Sequence, residues 1–329
     1  MIQLEKVFHQ FNDLKVLIIG DVMIDSYLWG NVSRISPEAP VPIVNVQKRE
    51  QRLGGAANVA LNVQALGATP ILCSVVGSDG EGENLLRLME INGLNRAGIV
   101  QSNHRITTVK HRILASSQHL LRIDSEMDKL IDEEEQELLW KKIETLLSDV
   151  QAVIFEDYDK GVITQELIER TINLANQKNI PTIIDPKKRN FLFYKNATLF
   201  KPNLKELKEG LKIDFNHHHI DEITEAVKKL QETLDAKSVM TTLSEKGVLI
   251  YSEKETHHIP AHLRSIADVS GAGDTVVSVA ALCVALNLPL KLVADLSNLA
   301  GGLVCEYQGV VPINKSKLLS EALIKKIAE

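Results

Sequence analysis

The chain of 329 residues has few cysteines and no excess of positive charge, and both absences restrict its function. It contains only Cys73, Cys283 and Cys305, an odd number of cysteines that stand among apolar neighbours. This usage argues against a disulfide framework, so we expect buried, reduced thiols in a cytoplasmic protein. The formal net charge of −6 argues against a general nucleic-acid-binding protein, although a locally basic pocket would still accept a small anion.

The sequence also lacks a hydrophobic run long enough to span a membrane. The longest apolar stretch lies near residues 276–286, well short of the roughly 18 residues that a span needs. The first residues mix apolar and charged side chains, so we expect no signal peptide and no membrane partner. Because no internal repeat or low-complexity tract interrupts the chain, we expect one domain over residues 1–329.

Two common nucleotide-binding motifs are missing as well. No GxxxxGK[ST] occurs, and the dipeptide Gly-Lys is absent altogether, which excludes a P-loop protein. The stretch GAGDTV (271–276) lacks the third glycine of GxGxxG and does not follow the first strand, so a dinucleotide-binding oxidoreductase is poorly supported. The histidines at 217–219 fit no tetrahedral spacing, and we interpret them as part of a solvated loop.

Short β-branched runs alternate with longer helical patterns over most of the chain. This alternation predicts an α/β fold, a doubly wound and mostly parallel sheet with helices on both faces. Buried strands are predicted at 15–20, 150–155, 181–184, 197–200 and 237–241, and a long amphipathic helix at 128–148. Residues 26–50 and 104–124 break the pattern and predict a small β-rich unit, which is either a lid over a binding site or an ordinary edge hairpin.

Polar residues directly follow the later predicted strands. They are Glu156-Asp157, Asp185-Pro186-Lys187, Lys201-Pro202-Asn203 and Thr242. Ligands of open α/β sheets bind outside the carboxyl ends of the strands, where such residues meet. The sequence therefore predicts one binding site at this edge of the sheet.

The segment DVSGAGDT (268–275) opens an almost wholly apolar helix predicted over 272–286. Such a helix start presents free N–H groups and a positive dipole end, and Gly271 and Gly273 let a ligand approach closely, so it suits an anion. Asp274 beside that anion is unsuited to binding phosphate but suited to taking a proton from an attacking hydroxyl. An ordinary capped helix is the alternative, because short glycine motifs recur by chance.

A second group of polar residues lies in the first sixty positions. Asp21 and Asp25 follow the first strand, and carboxylates bind sugar hydroxyls well. Gly54 and Gly55 precede an apolar helical pattern, in which Asn58 offers both donors and acceptors. Each of these residues alone is also consistent with turn chemistry.

Several segments together resemble the ribokinase-like (pfkB) carbohydrate kinase family: GDVMID (20–25), LGGAANVALN (53–62), DVSGAGDT (268–275), KPNLKE (201–206) and TLSEKG (242–247). The stretches SRISPEAPVP (33–42) and EDYDKG (156–161) are similar to the kinase domain of the heptose-phosphate enzymes of lipopolysaccharide precursor synthesis. The resemblance covers nearly the whole chain. The sequence departs from the family at Phe155-Glu156, where relatives often carry smaller or hydroxylic residues.

The resemblance implies transfer of the γ-phosphoryl group of ATP to a sugar hydroxyl, with Mg²⁺ held through water near Glu206. Asp274 would be the catalytic base, and Gly271, Ala272 and Gly273 the anion hole. The implied ATP and magnesium residues are Asn203, Glu206, Thr242, Gly247 and Asn298. The implied sugar residues are Asp21, Asp25, Gly54, Gly55 and Asn58. The two β-rich segments would form the lid and, as in related kinases, a homodimer.

The heptose-phosphate resemblance implies D-glycero-β-D-manno-heptose 7-phosphate as the acceptor, phosphorylated at O-1 to the 1,7-bisphosphate. Basic residues in the motif stretches would form a second anion pocket for its phosphate: Arg34, Lys110, Arg112, Lys160 and Lys187. Each of them singly also fits a solvated surface position. The alternatives are another sugar, sugar-phosphate or nucleoside kinase and, in a different class, a catalytically silent sugar-binding regulator, against which the retained Asp274 argues.

Overall fold

The computed structural model describes residues 2–115, 118–216 and 219–327, so Ser116 and Ser117 of the predicted lid, and His217 and His218, lie outside the described residues. In chain order the strands are β1 (Lys15–Gly20), β2 (Val22–Ile35), β3 (Pro42–Gly55), β4 (Thr69–Gly77), β5 (Ile99–Ser102), β6 (Thr108–Ala115), β7 (Gln118–Ser125), β8 (Ala152–Glu156), β9 (Thr182–Asp185), β10 (Leu199–Phe200), β11 (Ser238–Thr242), β12 (Val248–Tyr251) and β13 (Thr256–Ile259).

The α-helices connect these strands and cover both faces of the larger sheet. They are α1 (Leu4–Gln10), α2 (Ala56–Ala65), α3 (Gly80–Ile91), α4 (Glu133–Leu147), α5 (Gln165–Gln177), α6 (Leu204–Leu211), α7 (Ile220–Leu234), α8 (Ala272–Ala285), α9 (Leu290–Val304) and α10 (Lys315–Ile324). Among the described residues, none of the helices combines the length and the hydrophobicity that crossing a bilayer requires.

Within the described ranges, the larger sheet has nine strands in the order β13-β12-β11-β10-β9-β8-β1-β4-β5. Its strands are parallel except at one edge, where β12 runs antiparallel to both β11 and β13. In β1, alternate side chains pack into two cores: Val16 and Ile18 face the side of α2, α8 and α9, and Leu17 and Ile19 face the side of α4, α5 and α7. A strand buried on both faces needs an unbroken apolar run, which explains why its sequence reads KVLIIG.

The predicted strands and helices are present, with shifts at their ends. The helix predicted over 128–148 begins at Glu133, because the side chain of Asp132 accepts the N–H of Glu135 while Glu135 accepts the N–H of Asp132. This capping box satisfies donors that an earlier start would leave free.

The three cysteines are buried free thiols, and burial raises the pKa of Cys73 and of Cys283 to about 12.

The strand order reverses beside β1, which fixes the place of the binding site. After β1 the sheet grows through β4 and β5 on one side, and it then resumes at β8 on the other side of β1. Such a switch point leaves a crevice outside the carboxyl ends of the strands. In that register Gly20 pairs with Glu156, and Glu156 pairs with Asp185, so the polar ends of three strands lie side by side.

The smaller sheet, in the order β3-β2-β6-β7, is called the lid sheet below. It is built from the β-rich segments predicted at 26–50 and 104–124. The first is longer than predicted, because β2 and β3 pair from Val22 to Gly55. The second begins later, at Thr108 in β6, and β7 ends at Ser125. In this sheet Asp25 pairs with Lys110, and Tyr27 pairs with Arg112. Paired residues share a face and alternate residues do too, so these four side chains lie on one face of the lid sheet.

Candidate active site

Asp274 lies in the first turn of α8, at the edge of the sheet where the strands end. The helix is buried along almost its whole length, and Asp274 itself is only 5% exposed. Gly271, the residue before the helix, has a left-handed backbone with φ of 79°. A side chain there would be strained, so glycine lets the chain turn into the helix beneath a ligand.

Two side chains hold the carboxylate of Asp274. The amide Nδ2 of Asn58 donates to Oδ2 at 2.6 Å, and the hydroxyl of Tyr158 donates to Oδ1 at 2.9 Å. Burial raises the pKa of Asp274, Asp185 adds to this rise, and the two hydrogen bonds act in the opposite direction. A fixed carboxylate with a raised pKa is suited to act as a general base. The structure thus joins Asn58, predicted on the sugar side, to the predicted base, and adds Tyr158, which the sequence reasoning had missed.

A buried ion pair lies next to Gly273. Nζ of Lys201 is 2.8 Å from Oδ2 of Asp185, and both side chains are nearly inaccessible. A Cβ added at Gly273 would lie 3.6 Å from that carboxylate oxygen and 3.7 Å from that ammonium. Lys201 therefore places a positive charge beside the start of α8, where a transferred phosphoryl group would be negative. The feature of the sequence that could have indicated this role of Lys201 is its position directly after a predicted strand.

Glu156 is a third residue to which the sequence analysis had assigned no role, after Tyr158 and Lys201. It is 1% exposed at the end of β8, and its Oε2 has no hydrogen-bond partner within the described part of the chain. Burial raises its pKa well above the ordinary value, and Asp185 and Asp274 raise it further. A buried carboxylate oxygen without a partner is costly, which points to a ligand or ion that would complete it.

Asn203 and Glu206 form the capping box of α6. The side chain of Asn203 accepts the N–H of Glu206 at 2.9 Å, and Oε2 of Glu206 accepts the N–H of Asn203 at 2.8 Å. The other oxygen of Glu206 lies 2.6 Å from Nζ of Lys187. The pKa of Lys187 is raised by Asp185 and Glu206, although burial acts against the rise. Lys187 therefore lies beside Glu206, away from the other residues with which the sequence analysis had grouped it in a pocket for the substrate phosphate.

The other residues predicted to bind the nucleotide surround the same edge. Thr242 ends β11 and bridges to Asn203. Gly247 has a φ of 89°, and a Cβ there would lie 2.0 Å from the carbonyl oxygen of Ile259, so the turn after β11 requires glycine. Asn298 on α9 donates to the carbonyl of Pro260 at 2.8 Å, which ties that helix to the segment leading to α8.

On the sugar side, the carboxylate of Asp25 pairs with the guanidinium of Arg112. A Cβ at Gly54 would lie 2.3 Å from Oδ2 of Asp25, so glycine at this position is what leaves room for the carboxylate. Gly55 has a φ of 60°, and a Cβ there would lie 2.4 Å from the carbonyl oxygen of Asp21. Both glycines thus shape the junction between the lid sheet and α2.

Asp21 does not have the free carboxylate that the sequence suggested. Its two oxygens accept the backbone N–H groups of Tyr158, Lys160 and Val162 at 2.9, 3.1 and 3.0 Å. Burial and Asp157 raise its pKa, and these three hydrogen bonds lower it. Asp21 thus fixes the loop that carries Tyr158, and a direct sugar contact by its carboxylate stays a prediction.

The five predicted basic residues do not form one pocket. Lys110, Arg112 and Lys160 lie at the base of the lid sheet, whereas Lys187 lies beside Glu206. Arg34 is exposed near the far end of β2, nine residues beyond Asp25, which is roughly 30 Å at the rise of an extended strand. The sequence analysis grouped these residues because they lie in the same motifs. A motif does not show how far apart along a strand two of its residues lie, so the distance of Arg34 from the others was not predicted.

The lid sheet also adds cations that sequence reasoning had missed. Arg52 lies opposite Asp25 in the register of β2 and β3. Its guanidinium lies over the ring of Tyr27, 5.1 Å from the ring centre, and donates to the carbonyl of Val310 at 2.8 Å. Arg122 lies opposite Arg112 in the register of β7 and β6, on the same face of the sheet. The face that carries Asp25 is therefore rich in guanidinium groups.

A model of the pfkB family of carbohydrate kinases matches residues 13–317. The chain belongs to this family. It is an ATP-dependent sugar kinase, in agreement with the class that the sequence motifs indicated.

Curated relatives match the kinase over most of its length. The bifunctional protein HldE of Methylobacillus flagellatus is 38% identical over 321 residues, which are 97% of this chain and 65% of that protein. The bifunctional protein HldE of Helicobacter pylori is 36% identical over 295 residues, which are 90% of this chain and 63% of that protein. The kinase therefore spans about two thirds of the length of these relatives.

Solved structures confirm the fold. Phosphofructokinase-2 from Escherichia coli, crystallised with potassium, has a TM-score of 0.77 at 19% identity and covers 94% of this chain and 99% of its own. Ribokinase from Arabidopsis thaliana, complexed with ribose and ATP, has a TM-score of 0.72 at 16% identity over 93% of this chain and 98% of its own. The predicted α/β sheet with a separate small β sheet is confirmed.

Proposed function

We propose that this kinase phosphorylates D-glycero-β-D-manno-heptose 7-phosphate at O-1, giving the 1,7-bisphosphate in the synthesis of lipopolysaccharide precursors. The observation that carries the proposal is the similarity to HldE proteins over nearly the whole chain, together with two separate cationic groups. Lys201 lies at the start of α8, and Lys110, Arg112 and Lys160 lie at the base of the lid sheet. Two cationic groups suit a reaction in which both substrates carry phosphate.

In the proposed reaction the acceptor hydroxyl oxygen attacks the γ-phosphorus of ATP, and the bond from that phosphorus to the β,γ-bridging oxygen breaks, so ADP leaves. Asp274 takes the hydroxyl proton, while Asn58 and Tyr158 keep its carboxylate oriented toward the acceptor. The N–H groups of Gly271 and Gly273 and the ammonium of Lys201 stabilise the charge on the transferred group, whereas the N–H of Ala272 donates to the carbonyl of Val269 at 3.3 Å.

Carboxylates near the nucleotide side suit a hard cation. Magnesium is usually held by one or two carboxylates, waters and substrate phosphates. The candidates are Glu206 and the oxygen of Glu156 that has no partner among the described residues, and bound Mg²⁺ would neutralise charge on the phosphates of ATP. Within the described ranges, no three acidic, histidine or cysteine side chains cluster as metal ligands.

The acceptor is identified by a substrate screen coupled to phosphorus NMR of the product. We expect heptose 7-phosphate to be turned over with the new phosphate on C-1, and free heptose to be a much poorer substrate. Arg112→Ala should raise KM for the sugar phosphate and leave KM for ATP nearly unchanged, because Arg112 belongs to the lid.

Lys187→Ala provides the contrast within the same enzyme. Because Lys187 pairs with Glu206, its loss should change KM for ATP more than KM for the sugar. Turnover of free heptose as efficient as that of the 7-phosphate would remove the heptose-phosphate assignment. ATP consumption that no sugar stimulates would favour a regulator over a kinase.

A further inference from the structure

Two lysines at the junction between the lid sheet and the larger sheet share one carboxylate. Nζ of Lys110 lies 2.7 Å from Oε2 of Glu126, and Nζ of Lys160 lies 2.8 Å from Oε1 of the same residue. Lys110 comes from β6 of the lid sheet, Lys160 from the loop after β8, and Glu126 directly follows β7. One anion thus connects the lid to the body of the enzyme.

The two lysines are held by contacts that do not involve Glu126. Lys110 also pairs with Asp124 at 3.0 Å, and the backbone of Lys160 is fixed by Asp21 through its N–H and by Arg105 through its carbonyl. The side chains of Lys110 and Lys160 are 14% and 17% exposed, whereas that of Glu126 is 30% exposed. Glu126 is therefore the member of this group that can leave at the smallest structural cost.

The chemistry of the bridge is that of a phosphate site. A carboxylate and a phosphate both offer two oxygens on one central atom to two ammonium groups, and a phosphate carries more negative charge. The hydrogen bonds from Lys110 and Lys160 lower the pKa of Glu126, although burial acts the other way, so the carboxylate is ionised at neutral pH.

We propose that Glu126 occupies the position of the acceptor's phosphate in the free enzyme and that a phosphorylated acceptor displaces it. The inference rests on the proposed function in that the acceptor carries a phosphate. An acceptor that reaches Lys110 and Lys160 must break this bridge, and only an anion restores both contacts. Glu126 thereby acts as a specificity-determining residue that disfavours neutral sugars.

The experiment measures binding of inorganic phosphate by calorimetry to the full chain, saturated with a non-hydrolysable ATP analogue that covers the start of α8. Glu126→Gln should bind phosphate about fivefold more tightly than the unmutated enzyme, the fold-change that corresponds to ~1 kcal/mol for a partly exposed pair. Adding Lys160→Ala to Glu126→Gln should abolish that gain. Glu137→Gln, which removes an ion pair with Arg170 on the outside of α4, is the matched control and should change nothing.

Unchanged or weaker phosphate binding by Glu126→Gln would overturn the proposal, since Glu126 would then organise the lysines instead of competing for them. Glu126→Ala gives the same readout if the glutamine variant folds poorly, and circular dichroism checks both. If Glu126→Gln binds phosphate more tightly but heptose 7-phosphate is not turned over, the substrate assignment fails and the displacement stands. If heptose 7-phosphate is turned over and phosphate binding does not improve, only the displacement fails.

Discussion

At the scale of single residues, Asp274 is the side chain on which turnover should depend most. Asp274→Asn keeps the size of the side chain and removes the base, so we expect kcat to fall by about 10²–10⁴ while ATP binding persists. Steady-state kinetics and nucleotide titration measure the two quantities. Asp149→Asn, an exposed substitution before β8 at the opposite edge of the sheet, is the control. Near-normal turnover of Asp274→Asn would exclude Asp274 from the mechanism.

The hydroxyl of Tyr158 should tune the pKa of that base. Its hydrogen bond lowers the pKa of Asp274, so Tyr158→Phe should raise this pKa. A base acts only when deprotonated, and therefore the acidic limb of the kcat/KM profile should move to higher pH. The shift should be about one pH unit, because a hydrogen bond to a charged group is worth about 1.5 kcal/mol and one pKa unit about 1.4 kcal/mol.

The pH profile shows whether Tyr158 acts through its hydrogen bond to Asp274 or only through packing. Tyr251→Phe on β12 removes a hydroxyl away from Asp274, and its profile should match that of the unmutated enzyme. A lower kcat/KM at every pH with no displaced limb would mean that Tyr158 contributes packing alone.

At the scale of elements, the three small residues before Asp274 leave the N–H groups at the start of α8 open to a ligand. A Cβ at Gly273 meets no atom of the described part of the chain closer than 3.6 Å, so a small side chain fits the protein but projects toward the phosphoryl position. Gly273→Val should therefore reduce kcat more than it weakens sugar binding, because it blocks access to the N–H groups.

Gly80→Val is the matched control for this helix start. A Cβ at Gly80, in the first turn of α3, meets no atom of the described residues within 4 Å, so the same substitution tests the general cost of valine in a first turn. Stopped-flow measurement of single-turnover phosphoryl transfer, with sugar affinity from calorimetry, compares the two variants. Loss of sugar affinity with normal transfer in Gly273→Val would contradict the anion-hole role.

At the scale of the whole molecule, the lid sheet exposes an apolar strip that one chain leaves uncovered. Leu121 and Ile123 are 54% and 48% exposed, and they alternate with Arg122 on β7, so they lie on the opposite face from the guanidinium groups. Contiguous exposed apolar residues mark interaction surfaces. We expect a homodimer at micromolar concentration in sedimentation velocity, with the lid as its interface.

Ile123→Lys should shift this equilibrium toward monomer, because it places a charge in the contact. Ile91→Lys replaces an isoleucine that is 67% exposed at the end of α3 and should leave the assembly unchanged. A monomeric unmutated enzyme, or equal dimerisation of both variants, would exclude the lid as the interface.

The sequence alone determined β1 and β8 to β11, the buried helix α8 and the edge at which the polar strand ends meet, whereas β4, β5, β12 and β13 were not among the predicted strands. These features follow from local rules: an apolar run predicts a buried strand, and glycines before an apolar helix predict an open N-terminus. Burial of Val16 through Ile19 on both faces of the sheet and the position of Asp274 agree with those rules. The family motifs then gave the kinase class.

Only the tertiary structure decided which polar groups meet. Asp21 binds three N–H groups from residues more than a hundred positions away, Lys187 turns to Glu206, and Arg34 extends away along β2. The partners of Asp274, which come from α2 and the loop after β8, are distant in sequence for the same reason. Hydrogen bonds and ion pairs act over a few ångströms, so their partners are set by strand order and register, which no local pattern specifies.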